Sequence, residues 1–162
     1  MKVWAVDPGL EAGAVNWNTE WHSYRDSYEF FPMQAPAYDI LERIDRDLNG
    51  GPAVIVVERF VQQSLKHTRQ YDALEMIGAL RWIASRYGAT FVLQSRSDKA
   101  RVPDDTLRAL GVWDPQHPDA MDAFRHLLIY VARAYPQHSL MRRLAGRIDM
   151  ERMKERTKDG AR

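Results

Sequence analysis

The sequence predicts a mixed α/β domain, and three patterns indicate that class. Short apolar segments near the amino terminus, separated by turn residues, are typical of an antiparallel meander. Residues 53–58 (AVIVVE) are apolar without alternation, as in a central strand covered on both faces. Beyond that run, segments of helical and strand periodicity alternate, which favours a sheet with helices packed on its faces.

The individual elements follow from apolar periodicity and from the residues that interrupt it. The predicted strands cover residues 2–7, 14–17, 27–31, 53–58 and 90–94. The predicted helices cover residues 36–48, 68–87, 106–110 and 118–135. We expect Pro32 to stop the third strand and Gly88 to end the long helix, while Pro118 suits the first turn of the last helix. Residues 1–138 would form one domain and residues 139–162 a basic tail, partly helical or mobile.

The composition excludes several classes of protein. The chain has 162 residues, 45% of them hydrophobic, which suits a single domain with its own core. It contains no cysteine, so disulfide scaffolds, zinc ribbons, iron–sulfur sites and thiol nucleophiles are excluded. No apolar run is long enough for a membrane span, and no signal peptide is recognisable, so we expect a cytoplasmic protein. The phosphate-binding, dinucleotide-binding and serine hydrolase glycine motifs are absent as well.

The net charge of +1 conceals an uneven distribution along the chain. Residues 1–58 carry 4 basic and 10 acidic side chains, whereas residues 59–162 carry 19 basic and 12 acidic ones. A basic region of this kind often binds a polyanion such as nucleic acid, although two differently charged surfaces without a function would give the same count.

Four carboxylates stand where the predicted fold could gather them. Asp7 ends the first strand, Glu58 ends the buried fourth strand, and Asp119 and Asp122 lie three apart in the last helix, on one face. Burying a charge costs several kcal/mol unless it is paired, so an acid at the end of VIVV indicates a function. Clustered oxygen ligands favour Mg²⁺ or Mn²⁺, and a site with three or four carboxylates can hold two ions.

Each acid also has an ordinary structural explanation. Asp7 precedes Pro8-Gly9 and could belong to the turn. Asp119 could complement the dipole of its helix, and Asp122 could be a solvated helix residue. Glu58 is the hardest of the four to explain in this way.

Three segments, in this order, resemble the RuvC family of Holliday junction resolvases, within the RNase H-like superfamily. They are VWAVDPGLEAGAV (3–15), VIVVERF (54–60) and HPDAMDAFRHLLIY (117–130), and the resemblance covers most of the chain up to residue 135. It implies an RNase H-like five-stranded mixed sheet, with a meander, further parallel strands and helices on both faces. The short chain and basic tail would suit a phage-type member, which would act in the host cytoplasm.

The resemblance also implies a set of catalytic residues. Asp7, Glu58, Asp119 and Asp122 would bind the Mg²⁺ or Mn²⁺ ions, two to a site. Some family members have a histidine at the position of Asp119. Lys99 resembles the lysine of the family that lies near the scissile phosphate, although the segment before it is shorter here.

The same comparison suggests residues that contact DNA. Phe60 stands near the aromatic residue that the family uses to stack on the junction; packing against the long helix is the alternative for it. Basic residues that could track phosphates are Arg59, Lys66, Arg69, Arg96, Lys99 and Arg101, unless they only solvate a loop and a helix start. His126, four residues after Asp122, is expected to be a core residue or to support the ligands rather than to bind the metal.

RuvC-like enzymes are dimers, so a homodimer is expected. A surplus apolar face of the long helix, with Met76, Ile77, Leu80 and Ala84, is the predicted interface, unless the helix is buried within one chain.

The predicted function is a metal-dependent, structure-selective DNA endonuclease that resolves four-way junctions. Two alternatives stay open: a nuclease of the same fold that acts mainly on forks, flaps or other branched nucleic acid, and a branched-DNA-binding protein without catalysis.

Overall fold

A computed structural model describes residues 1–18, 30–48, 51–60, 69–138 and 140–142. Its five strands form one mixed sheet in the order β3-β2-β1-β4-β5, with β3, β2 and β1 antiparallel and β1, β4 and β5 parallel. The strands are β1 Lys2–Asp7, β2 Glu11–Asn18, β3 Phe31–Pro36, β4 Ala53–Arg59 and β5 Thr90–Ser95. The predicted fold class, an α/β domain with a mixed five-stranded sheet, is confirmed.

Helices cover both faces of the sheet. They are α1 Ala37–Leu48, α2 Arg69–Tyr87, α3 Asp104–Leu110 and α4 Pro118–Ala134, with a 3₁₀ helix at Arg96–Arg101. The core on one face joins α1 and α2 to side chains such as Trp4 and Ile55, and the core on the other joins α4 to Val3 and Val54. Neighbouring residues of β1 and β4 therefore enter opposite cores, which explains why these strands show no polar alternation.

The third strand differs from its prediction. Residues 27–29 lie outside the described part of the chain, and β3 runs from Phe31 to Pro36 with Pro32 inside it. The expectation that Pro32 ends the strand is wrong because β3 lies at an edge of the sheet. An edge strand has a side without ladder hydrogen bonds, where proline is tolerated.

The predicted dimer face is also wrong. Met76, Leu80 and Ala84 are buried in the core between α2 and the sheet, and Ile77 packs against the same core. The long helix exposes other large side chains, namely Tyr71, Leu74 and Trp82. Its apolar residues spread over more than one face, so periodicity could not identify the side that covers the sheet.

The polar segment after β5 forms a 3₁₀ helix. The Ser95 side chain accepts a hydrogen bond from the Ser97 backbone, and the Asp98 side chain accepts one from the Ser95 backbone. This capping box fixes the segment that carries Lys99. The predicted basic tail lies almost wholly outside the described residues. In the part of the chain that the structure describes, no helix is long and apolar enough to cross a membrane.

Candidate metal centre

The pairing of β1 with β4 brings Asp7 and Glu58 together. The two strands are parallel neighbours with Val6 opposite Val57, and each acid is the next residue along its strand. The carboxyl ends of parallel strands meet at the same edge of a sheet, so both carboxylates lie at that edge. Glu58 is buried, with about 10% of its side chain exposed.

A glycine allows α4 to reach this edge. Gly13 lies opposite Asp7 in the β1–β2 ladder, and a Cβ at Gly13 would lie 1.9 Å from the carbonyl carbon of Asp119. No other residue could occupy that position without displacing the start of α4. The close approach of the backbones places the first turns of the helix, with their two acids, above the end of β1.

Three of the four predicted acids meet in one cluster. One carboxylate oxygen from each of Asp7, Glu58 and Asp122 lies within 4.8 Å of the others. Asp119 is outside this group; its backbone N–H donates to the Gln34 side chain at 3.1 Å, and its carboxyl group is partly exposed. Its role as a fourth ligand stays a prediction.

The pKa values of the acids in and beside the cluster are shifted in opposite directions. Burial, together with the neighbouring charge of Glu58, raises the pKa of Asp7 to about 8. For Glu58, burial alone would raise the pKa, but hydrogen bonds from His126 and Lys99 hold the pKa of Glu58 at about 2. Burial and the nearby Asp122 also raise the pKa of Asp119. Like charges held this close are costly, and a cation relieves that cost.

Lys99 supplies such a cation. Its Nζ lies 2.7 Å from Glu58 Oε2 and 2.5 Å from Asp122 Oδ2, and only 15% of its side chain is exposed. Although burial opposes the charge, the hydrogen bond to Asp122 and the charge of Asp7 raise the pKa of Lys99. The structure thus places the predicted lysine inside the acidic cluster, and not at its rim.

His126 forms a hydrogen bond with Glu58 on the buried side of the cluster. The ring is fully buried, with Nε2 3.0 Å from Glu58 Oε2 and Nδ1 2.8 Å from Gln94 Oε1. Both ring nitrogens have protein partners, so His126 orients Glu58 and is not free to bind an ion itself. The sequence contained a signal for this, since a histidine one turn after Asp122 lies on the inward face of α4.

Arg125 is a supporting residue that was not predicted from the sequence. Its Nη1 donates to Asp122 Oδ1 at 2.6 Å, its Nε donates to the Val102 carbonyl at 3.1 Å, and its Nη2 contacts Asp104. It therefore ties α4 to Val102 and to the first residue of α3, and it orients Asp122. Its position three residues after Asp122 was the available signal, because such pairs meet on a helix surface.

The predicted DNA-binding residues differ in their exposure and in their distance from the acidic site. Arg96 lies close to the site, 3.8 Å from Glu58 Oε1 and 78% exposed. Arg59 is exposed at the end of β4, Arg101 is exposed and pairs with Asp98, and Phe60 is half-buried. Lys66 lies outside the described residues, as does the side chain of Arg69.

The donor set of the cluster fits a hard divalent cation. It offers carboxylate oxygens only, from side chains of different elements that converge from β1, β4 and α4. Oxygen ligands suit Mg²⁺ and Mn²⁺, whereas zinc sites use imidazole or thiolate groups. Asp7, Glu58 and Asp122 are therefore the residues that would hold such an ion.

Comparisons with known proteins show a likeness of structure. No protein-family model matches the chain, and no curated protein sequence matches it. Two solved structures of Thermus thermophilus RuvC are similar to it over 83% of this chain and 96% of theirs. One is RuvC in complex with a Holliday junction substrate, with a TM-score of 0.55 at 16% identity, and the other is RuvC with a TM-score of 0.51 at 15% identity. The fold of this chain is therefore RuvC-like, within the RNase H-like α/β class.

Proposed function

We propose that this chain is a metal-dependent endonuclease that resolves four-way DNA junctions. The observation that carries the proposal is the convergence of Asp7, Glu58 and Asp122 at one edge of a RuvC-like sheet. Lys99 and Arg125 offset part of the repulsion among these acids, and a divalent ion would offset the rest. The solved complex of Thermus thermophilus RuvC with a Holliday junction substrate supports four-way DNA as the substrate of this chain as well.

The chemistry would be hydrolysis of a phosphodiester. Divalent ions held by Asp7, Glu58 and Asp122, with Asp119 as a further ligand, would supply an activated water and neutralise charge on the phosphate. Water would add to phosphorus and the bond from phosphorus to the 3′ oxygen would break, so the products would carry a 5′-phosphate and a 3′-hydroxyl. His126 and Arg125 contribute by holding Glu58 and Asp122 in place.

Basic side chains near the cluster would contact the DNA backbone. Arg59 is the exposed last residue of β4, and Arg96 and Arg101 are exposed on the 3₁₀ helix that follows β5, close to the strand ends that carry the acidic site. Each cation that neutralises a phosphate releases a counterion, so junction binding should weaken as salt is raised. The acids alone would repel DNA, and these arginines offset that repulsion.

A dimer would let two sites act on one junction. We place the interface on the outer face of α2, where Tyr71, Leu74 and Trp82 are exposed large side chains that a second copy would bury. Trp82→Asp should then yield a monomer by sedimentation that still binds Mn²⁺. Tyr38→Asp, which changes an exposed aromatic residue of α1, is the matched control and should leave the oligomeric state unchanged.

The test is a cleavage assay on a synthetic four-way junction, with linear duplex, fork and flap controls, in Mg²⁺ and Mn²⁺. We expect paired symmetric nicks in the junction, and none with Asp7→Asn although that variant still binds the junction. Preferential cutting of forks or flaps would change the substrate and keep the metal-dependent nuclease. Tight junction binding without cleavage in either metal would contradict the proposal and favour a binding protein.

A further inference from the structure

We propose that the Lys99 ammonium and a divalent cation compete for the same carboxylate oxygens, so that metal binding requires Lys99 to leave the cluster. The competition rests on the proposed function in assigning a divalent ion to Asp7, Glu58 and Asp122, and the destination of the released ammonium rests on it in assigning DNA. The competition gives Lys99 a role beyond contact with a phosphate: it sets the metal affinity of the protein.

The geometry of Lys99 supports this competition. Its Nζ bridges Glu58 Oε2 at 2.7 Å and Asp122 Oδ2 at 2.5 Å, and these two residues, with Asp7, form the candidate metal site. An ion that bridges the same two oxygens has to take the place of the ammonium. The other oxygen of Asp122 is already engaged by Arg125, and Glu58 Oε2 is shared between Lys99 and His126. The second oxygen of Glu58, Oε1, lies 3.8 Å from the exposed Arg96.

Because Lys99 lies on the 3₁₀ helix, its ammonium can move away from the acidic cluster. Its long side chain has four rotatable carbons, and the backbone that carries it lies beside exposed arginines rather than in the core. Under the proposed function, a DNA phosphate bound beside the cluster would accept the released ammonium, because charged donors bind phosphate oxygens strongly. DNA and metal would then each favour the binding of the other, as linkage requires.

Substitution of Lys99 by an uncharged residue of similar length should reveal the competition. Lys99→Met removes the ammonium and keeps the aliphatic side chain. In the absence of DNA we expect it to bind Mn²⁺ about tenfold more tightly than the wild type, as follows from losing one charged hydrogen-bonded competitor. Its cleavage of a junction should nevertheless be slower, because no ammonium is left for the phosphate.

Calorimetric titration of the DNA-free protein with Mn²⁺ measures this directly. Arg96→Met is the matched control: it removes a cation that lies 3.8 Å from Glu58 Oε1 but is exposed and does not bridge the acids, so its effect should be less than about threefold. Lys99→Arg keeps the charge and should not tighten binding. Lys99→Gln serves as a second uncharged variant, should Lys99→Met fail to fold.

Equal Mn²⁺ affinities for the wild type and both uncharged variants, or weaker binding by the variants, would overturn the competition. An equal gain in Arg96→Met would also overturn it, since the effect would then be general electrostatics. None of these titrations needs a nucleic acid substrate. If the wild type fails to cleave junctions while Lys99 still limits Mn²⁺ affinity, the proposed function is contradicted and the competition is supported.

Discussion

Gly13 lies directly beneath Asp119, so close that their backbones leave no room for a side chain between them. A Cβ at Gly13 would be 1.9 Å from the carbonyl carbon of Asp119 and 2.3 Å from the next backbone nitrogen. Gly13 is also paired with Asp7 across the β1–β2 ladder. One residue without a side chain therefore sets the distance between the helix and the strand that supply the acids.

Gly13→Ala should damage the metal site and the fold together. The new methyl group meets backbone and not a flexible side chain, so α4 must move, at a cost of about 1–3 kcal/mol in the free energy of unfolding. Because that movement carries Asp122 away from Asp7, Mn²⁺ affinity should fall as well. Chemical denaturation and Mn²⁺ titration measure the two effects.

Gly78→Ala is the matched control for that substitution. Gly78 lies within α2, and a Cβ there meets nothing within 4 Å. Alanine should therefore stabilise the protein by about 0.5–1 kcal/mol and leave Mn²⁺ affinity unchanged. A Gly13→Ala protein with wild-type stability and metal binding would show that the close approach of the backbones has no importance.

His126→Leu should weaken metal binding more than its effect on stability explains. Without the ring, Glu58 loses a hydrogen bond of 3.0 Å that orients its carboxylate, and loss of such support typically costs about 10–100-fold in metal affinity. Leu127→Ala is the control for general damage to α4, since this neighbour is fully buried and its truncation costs about 2–5 kcal/mol. Equal losses of Mn²⁺ affinity in the two variants would mean that His126 acts only as a core residue and does not support the metal site.

Metal binding should strengthen as the pH rises toward 8. The pKa of Asp7 is raised to about 8, so below that pH its carboxyl group must lose a proton before it can bind an ion. Mn²⁺ titrations from pH 6 to 9 should show affinity that rises about tenfold per pH unit at first and levels off above pH 8. Affinity that does not change between pH 6 and 8 would mean that Asp7 is already ionised or is not a ligand.

The same shift has the opposite effect on the stability of the metal-free protein. Between the ordinary pKa of 3.8 and the folded value of about 8, the folded protein holds a proton that the unfolded chain has released. The contribution of Asp7 to stability therefore falls as the pH rises through this range. Bound metal should restore stability at the high end.

Asp47 should matter for folding and not for the site. Its side chain accepts hydrogen bonds from Lys2, Trp4 and Asn16 at 2.8–2.9 Å, and thereby joins α1 to the amino end of β1, whereas Asp7 lies at the carboxyl end. Asp47→Ala should cost about 1–3 kcal/mol in the free energy of unfolding and leave Mn²⁺ affinity unchanged. Asp39→Ala, an exposed acid of the same helix, should cost less than about 0.5 kcal/mol in comparison. Equal effects would mean that the Asp47 contacts contribute nothing.

The sequence alone predicts those site residues whose burial would cost free energy without a function. Glu58 could be recognised because an acid at the end of an apolar strand is expensive unless it has a function. That β1 and β4 are neighbours in the sheet was not predicted and comes from the structure. The structure then brought Asp7, Glu58 and Asp122 together.

Other features depended on contacts that no local pattern encodes. The partner of His126 is 68 residues away, and which side of α2 covers the sheet is decided by α1 and the strands. Pro32 is acceptable in β3 only because that strand is at an edge, which is a property of the whole sheet. Lys99 likewise bridges Glu58 and Asp122 only because the tertiary fold packs its 3₁₀ helix beside α4.

The most direct test of the metal centre is an anomalous difference map from crystals grown with Mn²⁺. We predict a peak within coordination distance of Asp7, Glu58 and Asp122, with the Lys99 ammonium moved off the two oxygens that it bridges. A second peak beside Asp119 would complete a pair of ions. Absence of any peak at this cluster at saturating Mn²⁺, with Lys99 still between Glu58 and Asp122, would contradict the account.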